Sequence, residues 1–214
     1  MNDAASEISR IRMDVTIADV RALGSDPAGS HLFAAVRGLA YVRASAVLEA
    51  FVKADLGAVL DEIDDRGTPL TSLRYPLHAV HQSGHFDALK VVRGVKMWRK
   101  RLELFHELDS ATTAVFASPS FALDGRTLRA EHFDTIWAVF GFPGDSLPGS
   151  LQRLALHDLA ERRNDIAHGV VTPGAVARVK PTPDVLRMLR FVEDIVEHLL
   201  SASKKYLDAC LYRR

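Results

Sequence analysis

An arginine and a histidine five positions apart, Arg163 and His168, are the residues of this sequence best suited to acid–base chemistry on a phosphate ester. The spacing alone is weak evidence, because Arg101 and His106 repeat it. The first pair differs in its context, since Asn164 follows the arginine directly and a glycine follows the histidine. An imidazole can take up or release a proton near neutral pH, and a guanidinium can stabilise a phosphorane. These are the residue types that RNA cleavage without a metal requires.

The placement of this run on a helix decides whether its side chains can meet. On a continuous helix Asn164 and His168 share a face, whereas Arg163 and His168 diverge by roughly 140 degrees. Gly169 is expected to end the helix, because glycine readily adopts the left-handed conformation found at helix C-termini. The sequence therefore predicts a helix end at this run, which would let Arg163 and His168 converge.

Apolar residues recur at helical spacing along most of the chain, and alternating patterns typical of strands are scarce. One long helix is predicted over residues 30–66, with Ser30 as its cap and Gly67 at its end. The same periodicity predicts a second helix over residues 86–108 and a final helix that starts at Thr182. Shorter helices are predicted up to about Leu23, over 130–140 and over 150–167. The fold class is therefore all-α, an antiparallel helix bundle with two or three long helices and several short ones.

Composition indicates a globular protein. With 214 residues, 48% of them hydrophobic, a single domain over residues 1–214 is expected, in which residues 1–29 are an extension with no assigned role. The 27 basic residues equal the 27 acidic ones, so any contact with nucleic acid must come from a local basic patch. The single cysteine cannot form an intramolecular disulfide, and no apolar run approaches the length of a membrane span. A cytoplasmic protein without a membrane partner is the expectation.

The run Arg163-Asn164-Asp165-Ile166-Ala167-His168-Gly169 resembles the catalytic signature of the HEPN family of all-helical, RNA-cleaving domains. It is most similar to the branch called RiboL-PSP-HEPN, in which an arginine-asparagine to histidine-glycine run lies between the last helices of the bundle. Residues 46–53 resemble the acidic, aromatic patch of the family's early long helix, and residues 127–141 resemble its short helix before the signature. The resemblance covers most of the chain from residue 30 onward, and its specific part is the signature.

The resemblance implies a metal-independent endoribonuclease that needs no cofactor. His168 would act as general base or acid, Arg163 would stabilise the phosphate, and Asn164 would orient the imidazole or the backbone. One histidine cannot easily be both acid and base, so a symmetric homodimer with two signatures across one cleft would complete the site, as the family is understood to assemble. The products would be a 2′,3′-cyclic phosphate and a 5′-hydroxyl. By analogy with the family, the role is that of a toxin in a toxin–antitoxin or other defence system, with a protein antitoxin as a partner.

Three residues of the predicted site have alternative interpretations. Asn164 could bond local backbone at the helix end instead of serving the site. Arg162 could contact RNA as a substrate-binding residue or be a solvated side chain. Glu49 could hold Arg163 or the cleft, as the family pattern implies, or form an ion pair with Lys53 four residues on.

A cluster of three histidines and both tryptophans lie outside the signature. His78, His81 and His85 have a spacing that could bind a transition metal on a helix, but a proline and a glycine interrupt the segment, so no metal site is predicted there. Trp98 and Trp137 occupy apolar helical positions and are expected in the core rather than as platforms for bases. One face of the predicted helix 86–108 is basic and could face RNA or solvent; it carries Lys90, Arg93, Lys96, Lys100 and Arg101.

Two other classes of function compete with the nuclease. The first is a non-catalytic helical scaffold that uses the same cleft to bind RNA, a nucleotide or a protein partner. The second is a metal-binding helical protein that uses the histidines near residue 80. The intact Arg163 and His168 favour the enzyme over both.

Overall fold

The computed structural model of the protein describes residues 2–108, 110–116 and 127–214. Within these ranges there are nine α-helices and no strand, and the predicted all-α class is confirmed. The helices are α1 (Asn2–Ala22), α2 (Pro27–Asp65), α3 (Tyr75–His81), α4 (Ser83–Val91), α5 (Gly94–Leu108), α6 (Ala130–Phe140), α7 (Ser150–Ala167), α8 (Pro173–Val179) and α9 (Thr182–Asp208). A short 3-10 turn over Leu70–Ser72 precedes α3.

The contacts within the chain define two compact units. The first comprises Met1–Lys53, Gly125–Glu131 and Leu147–Leu199. The second comprises Ala54–Asp124, His132–Ser146 and Leu200–Arg214. The long helices α2 and α9 contribute residues to both units. The run from Arg163 to Gly169 belongs to the first unit and the three histidines near residue 80 belong to the second.

In the first unit, ion pairs fix α1 against α2 in an antiparallel arrangement. Arg43 of α2 binds Glu7 of α1 at 2.8 Å, and Arg37 binds Asp19 at 3.0 Å. The residue numbers run in opposite directions, which defines the antiparallel packing. The facing side of α1 is an apolar stripe at helical spacing, and all of its members are almost inaccessible: Ile8, Ile11, Val15 and Ala18. The segment that sequence reasoning left unassigned is therefore part of this unit's core.

The second long helix of the first unit, α9, is also antiparallel to α1. Arg12 binds Glu193 at 2.5 Å, and the hydroxyl of Thr182 donates to Asp19 at 2.5 Å. The prediction that the last helix starts at Thr182 is confirmed. The antiparallel order of α2, α1 and α9 is that of the predicted helix bundle.

The long helix α2 was predicted correctly, but its start was not. It begins at Pro27 rather than at Ser30, because the side chain of Asp26 accepts a hydrogen bond from the backbone of Gly29 at 2.7 Å and caps the first turn. At the other end the helix stops at Asp65, and Gly67 follows with a φ of 60° as expected of a terminating glycine.

The single helix predicted over residues 86–108 is wrong, because the structure has two helices there. Val92 is extended and Gly94 has a φ of 61°, so the chain turns between α4 and α5. The apolar spacing continues across the turn, which is why periodicity missed it. A further short helix, α8, lies between α7 and α9, where no helix was predicted, and the hydroxyl of Thr172 caps it by accepting from the backbone of Ala175 at 3.2 Å.

Aromatic side chains fill the core of the second unit. The ring of Tyr206 lies edge-on to Phe142 at 4.9 Å, and Phe140 stacks on Phe142 at 5.1 Å. Trp137 packs edge-on against the same Phe142 at 5.1 Å and is buried, so its predicted place in the core is confirmed.

Candidate active site at the end of helix α7

Helix α7 ends at the residues of the signature in a well-defined C-terminal motif. Gly169 has a φ of 68°. Its N–H donates to the carbonyl of Ile166 at 3.1 Å, and the N–H of Val170 donates to the carbonyl of Asp165 at 2.8 Å. These two bonds are those of a Schellman motif, which uses a left-handed glycine to satisfy the last carbonyls of a helix. The predicted conformation of Gly169 is confirmed.

The last residue of α7 is Ala167, and His168 follows it as the C-cap. The N–H of His168 still donates to the carbonyl of Asn164 at 2.9 Å, and its φ of −90° and ψ of 3° make it the C-cap. Arg163 and His168 therefore leave the helix about 140 degrees apart. No hydrogen bond joins their side chains in the described part of the chain. The expectation that the helix end brings them together stays a prediction.

Arg163 and Asn164 form a chain of hydrogen bonds with Thr127, which precedes α6. The amide oxygen of Asn164 accepts from the hydroxyl of Thr127 at 2.7 Å and from the guanidinium of Arg163 at 3.2 Å. Thr127 is buried, with 5% of its surface exposed. This arrangement gives Asn164 a partner outside its own helix, and it holds Arg163 through the amide. Sequence reasoning missed the role of Thr127, because nothing local marks a contact across 37 positions.

We expect Thr127→Val to remove one of these hydrogen bonds without changing the shape of the side chain. The variant leaves the amide oxygen of Asn164 with one donor, so the free energy of unfolding should fall by about 1 kcal/mol. Urea denaturation measures this, and a double-mutant cycle with Asn164→Ala is the control. The two changes should couple by about 1 kcal/mol. Strict additivity of the two losses would show that the hydroxyl and the amide do not support each other.

Arg162 and Arg163 differ in their charged neighbours. Arg162 lies 3.4 Å from the carboxylate of Asp158 and 3.4 Å from that of Asp165. Glu161 binds Arg129 at 2.7 Å, and this hydrogen bond holds the pKa of Glu161 below its usual value. Arg163, in contrast, has no carboxylate partner among the residues that the structure describes. Within the described part of the chain, the charge of Arg163 is therefore free to bind an anion. Contact of Arg162 with RNA stays a prediction.

Glu49 makes a different contact from the one expected. The hydroxyl of Ser45, one turn earlier on α2, donates to its carboxylate at 3.2 Å. No ion pair with Lys53 forms in the described ranges, so that prediction is wrong. A role of Glu49 in holding Arg163 stays a prediction.

The three histidines near residue 80 are divided between two helices, His78 and His81 in α3 and His85 in α4. Over residues 2–108, 110–116 and 127–214, no group of three or more ligand side chains could hold a metal ion. In the same ranges no helix has both the length and the apolar character to cross a membrane.

The fold and the site together define a class of protein, an all-α bundle with an arginine, an asparagine and a histidine at one helix end. Comparison with family models, with curated proteins and with solved structures gave no match. The resemblance to the HEPN family therefore depends on the run from Arg163 to Gly169 itself.

Proposed function

We propose that this protein is a metal-independent endoribonuclease of the HEPN type, with its catalytic groups at the end of α7. One observation carries the proposal. Arg163 has no carboxylate partner in the described residues and is held by Asn164, while the exposed imidazole of His168 lies at the terminus of the same helix. The cleavage of a phosphodiester requires a cation and an imidazole, and both are present at this helix end.

The reaction divides among these groups in a defined way. The imidazole of one His168 takes the proton of the ribose 2′-hydroxyl, and the 2′-oxygen attacks the adjacent phosphorus. Arg163 stabilises the negative charge on the non-bridging oxygens. The bond from phosphorus to the 5′-oxygen breaks, and a protonated imidazole supplies the proton that this leaving oxygen needs. The products are a 2′,3′-cyclic phosphate and a 5′-hydroxyl.

A second chain completes this site in our proposal. Within one chain Arg163 and His168 point in directions about 140 degrees apart, and one imidazole cannot accept and donate in the same step. A symmetric homodimer would supply two imidazoles and two guanidiniums to one cleft. The biological role that we propose is that of a cytoplasmic toxin in a toxin–antitoxin or other defence system, whose partner is a protein antitoxin.

The test is cleavage of total RNA and tRNA by purified protein in EDTA, with the ends of the fragments mapped. Wild-type protein should leave 2′,3′-cyclic phosphate ends. Arg163→Ala and His168→Ala should each lower the rate by at least about a hundredfold. His106→Ala is the matched control, because Arg101 and His106 repeat the spacing of the signature and His106 is exposed on α5.

Two outcomes would contradict the proposal. The first is intact RNA with every protein, and the second is equal cleavage by all four proteins. Either result would favour the non-catalytic scaffold that binds RNA, a nucleotide or a protein partner. Loss of activity in EDTA that returns with a divalent ion would contradict the metal-independent mechanism.

A further inference from the structure

The second unit contains an open cavity between α3, α4 and α5. Its volume is about 710 Å³, within the usual range of small-molecule sites. The wall is almost entirely apolar. The residues that line it include Tyr75, His78, Phe86, Trp98, Leu102 and Phe105.

The apolar face of α5 that lines this cavity is left uncovered by the part of the chain that the structure describes. Trp98 is 60% exposed, Leu102 59% and Phe105 67%. The three lie on one face of α5 by their spacing. The prediction that Trp98 lies in the core is therefore wrong, because periodicity shows which residues share a face and not whether that face is covered. A contiguous exposed apolar surface of this kind marks a binding site.

A buried histidine lies in the wall of the same cavity, close to the backbone of Leu70 and Leu73. His78 is only 4% exposed, and neither of its ring nitrogens makes a hydrogen bond of normal geometry with any residue that the structure describes. Leaving a buried polar group unsatisfied costs about 1–3 kcal/mol. Burial lowers the pKa of His78, with smaller contributions in the same direction from His81 and Arg214 and opposing ones from the backbone of Leu70 and Leu73, so the neutral ring is favoured. It then offers one donor and one acceptor.

The charged group of the cavity is a cation. The guanidinium of Arg101 lies over the ring of Trp98, 4.9 Å from its centre, and has no carboxylate partner within the described residues. Gln82, a further polar side chain of the wall, is already engaged, since its amide donates to Glu107 and its oxygen contacts His85. A guanidinium on an apolar wall favours a carboxylate, which it can bind through two parallel hydrogen bonds.

We propose that this cavity binds a small amphipathic carboxylate. Its apolar body lies against Trp98, Leu102 and Phe105, and its carboxylate pairs with Arg101. A small molecule fits better than a helix of a partner protein, because the cavity volume of about 710 Å³ is that of a small-molecule site. The proposal does not depend on the ribonuclease activity.

The fluorescence of Trp98 provides the measurement on the full-length protein. The chain has two tryptophans, and the other, Trp137, is buried in the core. We would titrate the protein with decanoate, and with decanol and decyltrimethylammonium as probes with the same chain and a different head group. Decanoate should shift the emission in a saturable way, with an affinity at least about tenfold higher than that of either other probe. Trp98→Phe should remove the signal.

Variants distinguish recognition of the head group from non-specific hydrophobic binding. Arg101→Ala should lower the affinity for decanoate about tenfold, whereas Arg99→Ala, on the same helix but outside the cavity, should not.

Four results would overturn the proposal. These are equal affinity for the three probes, equal losses in Arg99→Ala and Arg101→Ala, no saturable shift with decanoate, and dissociation of a dimer by Leu102→Glu in light scattering. The last would assign this face to a second copy of the chain.

Discussion

About a ninefold excess of the inactive His168→Ala protein should lower the RNA-cleaving activity of the wild-type protein about tenfold when the chains exchange at random. The reason is the proposed site, which needs one imidazole as base and another as acid. A dimer with a single intact His168 lacks one of the two. At this excess only about one wild-type chain in ten has a wild-type partner. The rate of cleavage at saturating RNA measures the effect, with subunit exchange confirmed by light scattering.

The control for this experiment is the same excess of His106→Ala, which should add activity in proportion to its amount. Saturating RNA removes the trivial explanation that the inactive protein sequesters substrate. If the wild-type rate is unchanged by the excess of His168→Ala, one chain carries a complete site and the two-histidine mechanism is wrong. That outcome would leave the ribonuclease proposal itself intact, because the products and the effect of His168→Ala alone are measured separately.

Sequence reasoning succeeded at the signature where the physics is local. Gly169 was predicted to be left-handed because glycine is the residue that adopts this conformation at low cost, and its φ is 68°. The side chain of Asn164 was harder, because its partner Thr127 is 37 positions away and only tertiary structure joins them. The exact residue at which the helix ends mattered as well. With His168 as the C-cap, helical geometry places its side chain about 140 degrees from that of Arg163.

The errors in the fold have identifiable causes. Ser30 and Asp26 are both good caps, and the proline directly after Asp26 was the signal that favoured the earlier one. Gly94 interrupts the predicted helix over residues 86–108, but an isolated glycine within a continuing apolar pattern does not by itself indicate a turn. The exposure of Trp98 could not be predicted, since it depends on whether another element packs on α5.

The largest effect on stability is expected from Gly38→Ala. Gly38 lies within α2, where α8 packs directly on it in the first unit. A Cβ at this position would overlap the carbonyl oxygen of Pro173 and lie 2.5 Å from the carbonyl carbon. Both partners are backbone, so no flexible side chain can move aside, and the ring of Pro173 restricts its own backbone. We expect the free energy of unfolding to fall by about 3 kcal/mol or more.

Gly57→Ala is the matched control for Gly38→Ala, because it places the same methyl group in the same helix. At Gly57 nothing in the described part of the chain, beyond its own stretch of helix, lies within 4 Å of the added Cβ. Replacing a helical glycine with alanine then gains roughly 0.5–1 kcal/mol from helix propensity. Opposite shifts of the urea midpoint in the two variants would therefore establish close packing of α8 on α2. A gain in stability at both positions would contradict this packing. It would mean that α8, which follows the signature, does not lie against Gly38.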